Sequence, residues 1–234
     1  MKKPYIKKFG KISNFNVWIV DGKYVRDNID EEFTNYGQHS RFNFIPKEEF
    51  WIDKERRKGE EKYYIESMLV MNRLMAKGVS QLFRSKKADE AERKERAKSN
   101  LMKKAVEMKE HEKDLLKLIH KKILKEYSTE KLKVWVIDGE TVRNLFFLDF
   151  TEGGHEFVYP FVPKGEVWID DDVGKDEIKF VLLHEMHERK LMESGMKYDA
   201  AHKSSSEIEY ACRRKIKDLD KELKKEIKKN NQNA

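Results

Sequence analysis

The chain has 234 residues, 40% charged and 38% hydrophobic, with a formal net charge of +7. Acidic residues are interspersed almost everywhere, which excludes a concentrated basic arm; nucleic-acid contact is permitted but not indicated. The single cysteine, Cys212, excludes an intramolecular disulfide. No apolar run near the N-terminus reads as a signal peptide and no stretch approaches 18 apolar residues, so the expected setting is cytoplasmic with no membrane partner.

In chain order, the first strong signal is an internal repeat. Val17-Trp18-Ile19-Val20-Asp21-Gly22 is answered by Val134-Trp135-Val136-Ile137-Asp138-Gly139, an offset of 117 residues. The same offset pairs Val25-Arg26 with Val142-Arg143 and Phe33-Thr34 with Phe150-Thr151. It also pairs Trp51-Ile52-Asp53 with Trp168-Ile169-Asp170, Gly78 with Gly195, and Glu90 and Glu92 with Glu207 and Glu209. A period held without a gap over this length reads as a duplicated domain.

Each copy opens with a short β run ending in Asp-Gly, a hairpin signal. A return strand from Tyr24 or Thr141 is expected next. Alternating aromatic segments follow (Phe42, Phe44; Phe157, Tyr159, Phe161), then a strand ending Trp-Ile-Asp. The rest of each copy is helical. The expected class is α+β: a tandem duplication of a small antiparallel-sheet-plus-helices domain, joined by a long charged helix. The copies span 1–85 and 131–234.

Between them, 86–130 contains a stretch without Pro or Gly, Lys86–Tyr127. There Leu101, Ala105, Met108, Leu115, Ile119 and Ile123 recur at threes and fours, the mark of an amphipathic, coiled-coil-like helix. His111 and His120 are expected to be solvated on it. A surface of this kind suits homo-oligomer formation or a larger assembly. A similar helix is expected at Ser204–Lys229.

Functional chemistry concentrates in the second copy. Phe180-Val181-Leu182-Leu183 leads into His184-Glu185-Met186-His187-Glu188, and a second helical stretch past Ser194-Gly195 carries His202. On a helix His184, His187 and Glu188 share a stripe with Phe180 and Leu191, and that stripe is expected to face the core. Buried ionisable groups cost several kcal/mol unless paired or bound to metal. His184, Glu188 and His202 form a mixed N/O set suited to zinc. His187 is an alternative ligand or outer partner. His155, after Gly153-Gly154, is a candidate ligand, substrate-binding group or transition-state stabiliser. Tyr198, one turn before His202, is a candidate substrate contact or a packed tyrosine. Glu207 and Glu209 have counterparts in the first copy and read as structural. No Gly-rich phosphate loop and no Ser or Cys nucleophile arrangement is legible.

Over about residues 165–209, the order strand (Glu166–Asp170), helix, third ligand resembles the zincin-type metallopeptidases. Their helix carries two ligands at i and i+4 and a Glu after the first that activates a water. The resemblance implies zinc, a peptide or protein substrate, and Glu185 as catalytic base. The chain departs from HExxH in having Glu188 where the motif has His, with an added His187.

The repeat supplies an internal control. At offset 117 the first copy has Ser67 for His184, Met68 for Glu185, Val70 for His187, Met71 for Glu188 and Ser85 for His202. The framework therefore does not need those side chains. Two readings follow: a zinc hydrolase with a pseudo-enzyme first copy, or a non-enzymatic scaffold in which any metal is structural.

Overall fold

The computed structural model describes residues 4–99 and 112–232. These residues hold eight helices and two four-stranded sheets, a mixed architecture consistent with the α+β class. The chain divides into two compact units, Met1–Glu112 with Glu140–Asp149, and Lys113–Gly139 with Phe150–Ala234.

The first unit runs β1 (Tyr5–Ile12), β2 (Phe15–Val20), α1 (Gly22–Asn28), β3 (Tyr36–Gln38), β4 (Glu49–Asp53), α2 (Glu61–Met75) and α3 (Gln81–Arg96). Next in the chain come α4 (Glu112–Ile119), β5 (His120–Ile123), β6 (Lys133–Ile137), α5 (Gly139–Leu145), β7 (Gly153–His155) and β8 (Glu166–Asp170). The last elements are α6 (Ile178–Glu193), α7 (Tyr198–Arg213) and α8 (Leu219–Asn231). The strand orders are β1-β2-β4-β3 and β5-β6-β8-β7. At offset 117, α1, β3, β4 and α3 coincide residue for residue with α5, β7, β8 and α7.

Neither sheet is the expected antiparallel meander. The central pairs β2–β4 and β6–β8 are parallel, with Trp18 opposite Trp51 and Trp135 opposite Trp168; the outer pairs are antiparallel. The central strands are covered on both faces, which is why they read as near-continuous apolar runs. In the first unit Val17, Ile19, Phe50 and Ile52 pack against Tyr64, Ile65 and Met68 of α2. The opposite face of that sheet packs with Val25, Phe33, Phe42 and Ile45. The aromatic segments expected as strands are loops that cap this face: Phe44 lies 5.8 Å from Trp51, and Phe161 lies 6.1 Å from Trp168.

Asp-Gly is a helix start here and not a hairpin. Asp21 caps α1, its side chain accepting from the Tyr24 N–H; the expected return strand is that helix, and its counterpart is α5. Glycine is required next because the helix end abuts a carboxylate. A Cβ on Gly22 would stand 1.7 Å from Asp53 Oδ2, and one on Gly139 would stand 2.1 Å from Asp170 Oδ1. The Gly22 N–H instead donates to Asp53 Oδ1 at 3.1 Å.

The single helix expected over Lys86–Tyr127 is not present among the described residues. Helix α3 ends at Arg96, and His120–Ile123 is a strand. Residues 100–111, including His111, lie outside the described residues. His120 is not solvated: it stacks on Trp135 at 4.3 Å and bonds Glu166 Oε2 at 2.9 Å. The expected helix Ser204–Lys229 is two helices, broken where Lys215 takes φ +58°.

Both units carry a buried arginine between two glutamates. Arg96 bonds Glu60 at 2.6 Å and Glu92 at 2.9 Å; Arg213 bonds Glu177 at 2.9 Å and Glu209 at 2.8 Å. In the first unit Arg143 also reaches Glu60 Oε1, at 3.1 Å. Buried charges persist only when paired and hydrogen-bonded in this way.

Candidate functional site

The site is built on α6, the helix that packs on β7 and β8 and is flanked by α7 and α8. Its apolar side carries Val181, Leu182, Leu183 and Met186, all buried in one core with Val134, Val167 and Ile169. The core stripe is therefore displaced from the one expected. Phe180, His184, His187 and Leu191 are only partly buried, and Glu188 alone of the charged cluster is fully covered, at 3% exposure. A 3.6-residue repeat leaves room for both stripes, since consecutive residues point about 100° apart.

His184, Glu188 and His202 converge. His184 Nε2 lies 3.1 Å from His202 Nδ1, His202 Nδ1 lies 2.9 Å from Glu188 Oε2, and His184 Nε2 lies 3.8 Å from Glu188 Oε2. A triangle with those sides has a circumradius of about 1.9 Å, against zinc bond lengths of about 2.0–2.2 Å to nitrogen and carboxylate oxygen. The three donor atoms thus fit a divalent ion seated close to their plane. Protein groups that could hold an ion include this trio and a second, His155, Glu185 and Glu188.

The outer bonds fix the protonation states. His184 Nδ1 lies 2.9 Å from Glu209 Oε2. A carboxylate accepts, so Nδ1 carries a proton, and Nε2 presents a lone pair once the imidazolium gives up its second proton. Glu209 spends its other oxygen on Arg213. His155 is wholly buried on β7; its Nδ1 accepts from the Phe157 N–H at 3.3 Å, so its proton sits on Nε2, which donates to Glu188 Oε1 at 3.1 Å. His155 therefore stands behind the Glu188 carboxylate. Close packing explains its neighbours: a Cβ on Gly153 would meet Val181 Cγ1 at 2.9 Å and Glu185 Cγ at 3.1 Å.

The electrostatics are strongly coupled. Burial disfavours charge on His184, but hydrogen bonds to Glu188 and Glu209 outweigh it and hold the imidazolium well above its ordinary range. Burial likewise opposes the Glu188 anion, and hydrogen bonds from His155, His184 and His202 hold its carboxyl well below the usual range. Among the described residues Glu185 has no such partner. Burial, reinforced by the Glu188 charge and opposed by the histidines, pushes it up to about 7.

The other expected residues divide. Tyr198 is 45% exposed and stacks on the His202 ring at 5.4 Å. His187 is not brought to the cluster: its Nε2 lies 3.0 Å from Ser204 Oγ and its Nδ1 lies 3.1 Å from Glu226 Oε1. Glu209 was legible only as a shared framework residue; its place seven residues after His202, on the same helical face, was the available signal. Asp170, Asp171 and Asp172 also group closely, but they serve the chain turn, accepting from the Asp172 and Gly139 N–H groups.

Comparison with protein-family models, curated proteins and solved structures finds no match to this chain.

Proposed function

We propose that the second unit is a metal-dependent hydrolase, with zinc held by His184 Nε2, Glu188 Oε2 and His202 Nδ1. The observation that carries this reading is the convergence of three donor atoms, with outer hydrogen bonds that orient His184 and Glu188 toward their common point. A divalent ion held by these three groups would supply Lewis acidity and acidify a bound water. Around it, the chain's own residues do the following. Glu209 orients His184 and makes its imidazole more basic, and His155 fixes the rotamer of Glu188. Glu185 accepts the proton of the attacking water. It lies beside Glu188, with a carboxylate oxygen within 4.8 Å of the nearest donor atoms of Glu188 and His155. Tyr198, at the exposed edge of His202, contacts substrate. A peptide or amide substrate follows from the zincin resemblance.

The two units descend, on this reading, from a tandem duplication, and the first is a pseudo-enzyme half. It keeps the framework but has Ser67, Met68, Met71 and Ser85 at the site positions. Elemental analysis of untagged protein tests the proposal. About one divalent ion per chain is expected, lost in His184→Ala and His202→Ala. Metal-free protein that takes up no ion on titration would end the hydrolase reading and leave a scaffold.

A further inference from the structure

His187 has no part in the metal trio, and its own contacts form a second constellation. Helices α7, α6 and α8 bring together a hydroxyl, an imidazole and a carboxylate. Ser204 Oγ lies 3.0 Å from His187 Nε2, and His187 Nδ1 lies 3.1 Å from Glu226 Oε1. Glu226 is 1% exposed and is also held by Lys229 at 2.7 Å. The Nδ1–Glu226 contact is an ion-pair approach and not a formed hydrogen bond, but the anion still favours a ring proton on Nδ1, the nitrogen nearer it. That leaves the Nε2 lone pair to accept from the serine hydroxyl.

Ser204 is set apart from its neighbours. Ser205 and Ser206 return their hydroxyls to the carbonyls four residues back, Ala201 and His202, as helix serines commonly do. Ser204 is turned instead to His187 and is only half-buried, so it is open to solvent. The fold does not demand this pair. The first unit has Val70 at the position of His187 and Lys87 at that of Ser204, yet α2 and α3 run over the same repeat positions.

We propose that Ser204, His187 and Glu226 form a Ser–His–carboxylate nucleophile that accepts acyl groups from activated esters, independently of the metal centre. Ser204 Oγ adds to the carbonyl carbon as its proton passes to His187 Nε2. The carbon–oxygen bond to the leaving group then breaks, and that oxygen departs with the proton from Nε2. A water gives a proton to the same nitrogen, adds to the acyl carbon and releases the carboxylic acid, while the proton returns to Ser204 Oγ. Ester and water become acid and alcohol, with Glu226 holding the imidazolium formed in each half. The Ser204 N–H lies inside α7, paired within the helix, so it does not cradle the developing oxyanion. The substrate class is therefore esters with acidic leaving groups, and not amides.

The test uses the full chain with p-nitrophenyl acetate and, separately, an alkyl fluorophosphonate, followed by intact mass and peptide mapping. One adduct on Ser204 is expected, absent in Ser204→Ala. His187→Gln should slow labelling by about 100-fold or more, the usual contribution of a positioned base. His187→Val, which borrows the first unit's residue, guards against a folding defect and should slow it equally. Labelling should be unchanged by chelator, which separates this site from the metal reading. No adduct on Ser204, an adduct that persists in Ser204→Ala at the same rate, or undiminished labelling in both His187 variants would overturn the proposal.

Discussion

Glu185→Gln in the metal-free protein gives the sharpest check on how the cluster is wired. Burial lifts the Glu185 carboxyl from its ordinary 4.5 to about 7. Between those values the folded chain holds a proton that the unfolded chain gives up. Fewer protons are bound in the unfolded state, so stability falls as pH rises through this window and levels off above 7. A shift of this size corresponds to about 3 kcal/mol at most, and to roughly 2 kcal/mol for a side chain that is only half-buried. Glutamine carries no such proton, so the variant lacks the decline. The stability difference, variant minus wild type, should be near zero at pH 4.5 and should reach about 2 kcal/mol in favour of the variant at pH 8. With a urea dependence of about 2 kcal/mol per molar, that is a midpoint shift of about 1 M. Urea titrations in chelator, followed by tryptophan fluorescence with Trp18 and Trp51 replaced by phenylalanine so that Trp135 and Trp168 report, measure it. A difference that does not change with pH would refute the placement of Glu185 beside Glu188 without a compensating donor. With metal restored, the same variant should keep its ion and lose hydrolysis.

Three further outcomes follow from the same contacts. Glu209→Gln, which removes the anion behind His184 Nδ1, should weaken metal affinity about 10- to 100-fold without changing stoichiometry, measured by competition with a chromophoric chelator. Because His184 is held protonated well above its ordinary range, binding must expel a proton; calorimetry in buffers of different ionisation enthalpy should count about one proton released near pH 7, and affinity should fall as pH is lowered. Arg96→Ala strips the buried partner from Glu92 and leaves Glu60 with Arg143, and should destabilise the first unit by about 3–5 kcal/mol, read as an earlier urea transition, while Arg96→Met with Glu92→Gln, which keeps Glu60 for Arg143, should recover most of the loss.

The repeat and the clustering of His184, Glu188 and His202 were legible because both are local: one is a direct sequence match, the other an i, i+4 pair plus a third residue on the next helix. What was hidden depends on partners distant in sequence. The parallel pairing of β2 with β4 leaves no mark beyond apolar continuity, and Asp-Gly suits a hairpin and a helix cap equally. The choice is made by Asp53 and Asp170, whose carboxylates abut the glycine 31 residues earlier in each copy. His155 and Glu188 are 33 residues apart, and His184 and Glu209 are 25 apart. Their outer-partner roles exist only once β7, α6 and α7 have packed. The Ser204–His187–Glu226 arrangement was missed for the same reason, since its members lie on three helices with no motif spacing between them.

The arginine–glutamate lattice explains how a site of this kind sits on a framework that does not require it. Arg213 is fully covered and needs Glu177 and Glu209 whether or not a metal binds, as Arg96 needs Glu60 and Glu92. Position 209 is thus fixed as glutamate by the fold, and its Oε2 is left to face position 184. The outer partner of one ligand comes with the scaffold, and only the residues on the faces of α6 and α7 must be added. If that is so, the site should transfer. Ser67→His, Met68→Glu, Met71→Glu and Ser85→His in the first unit, with His184→Ala and His202→Ala silencing the second, should restore binding of about one divalent ion per chain. Glu92 stands ready to take the imidazole placed at position 67. Gln38 occupies the place of His155 and already bonds Asn72. The graft should therefore bind about 10- to 100-fold more weakly than the native site, and Gln38→His added to it should recover part of that loss. A folded graft that takes up no ion would show that the lattice does not preorganise the ligands and that the second unit's site depends on packing the first unit lacks.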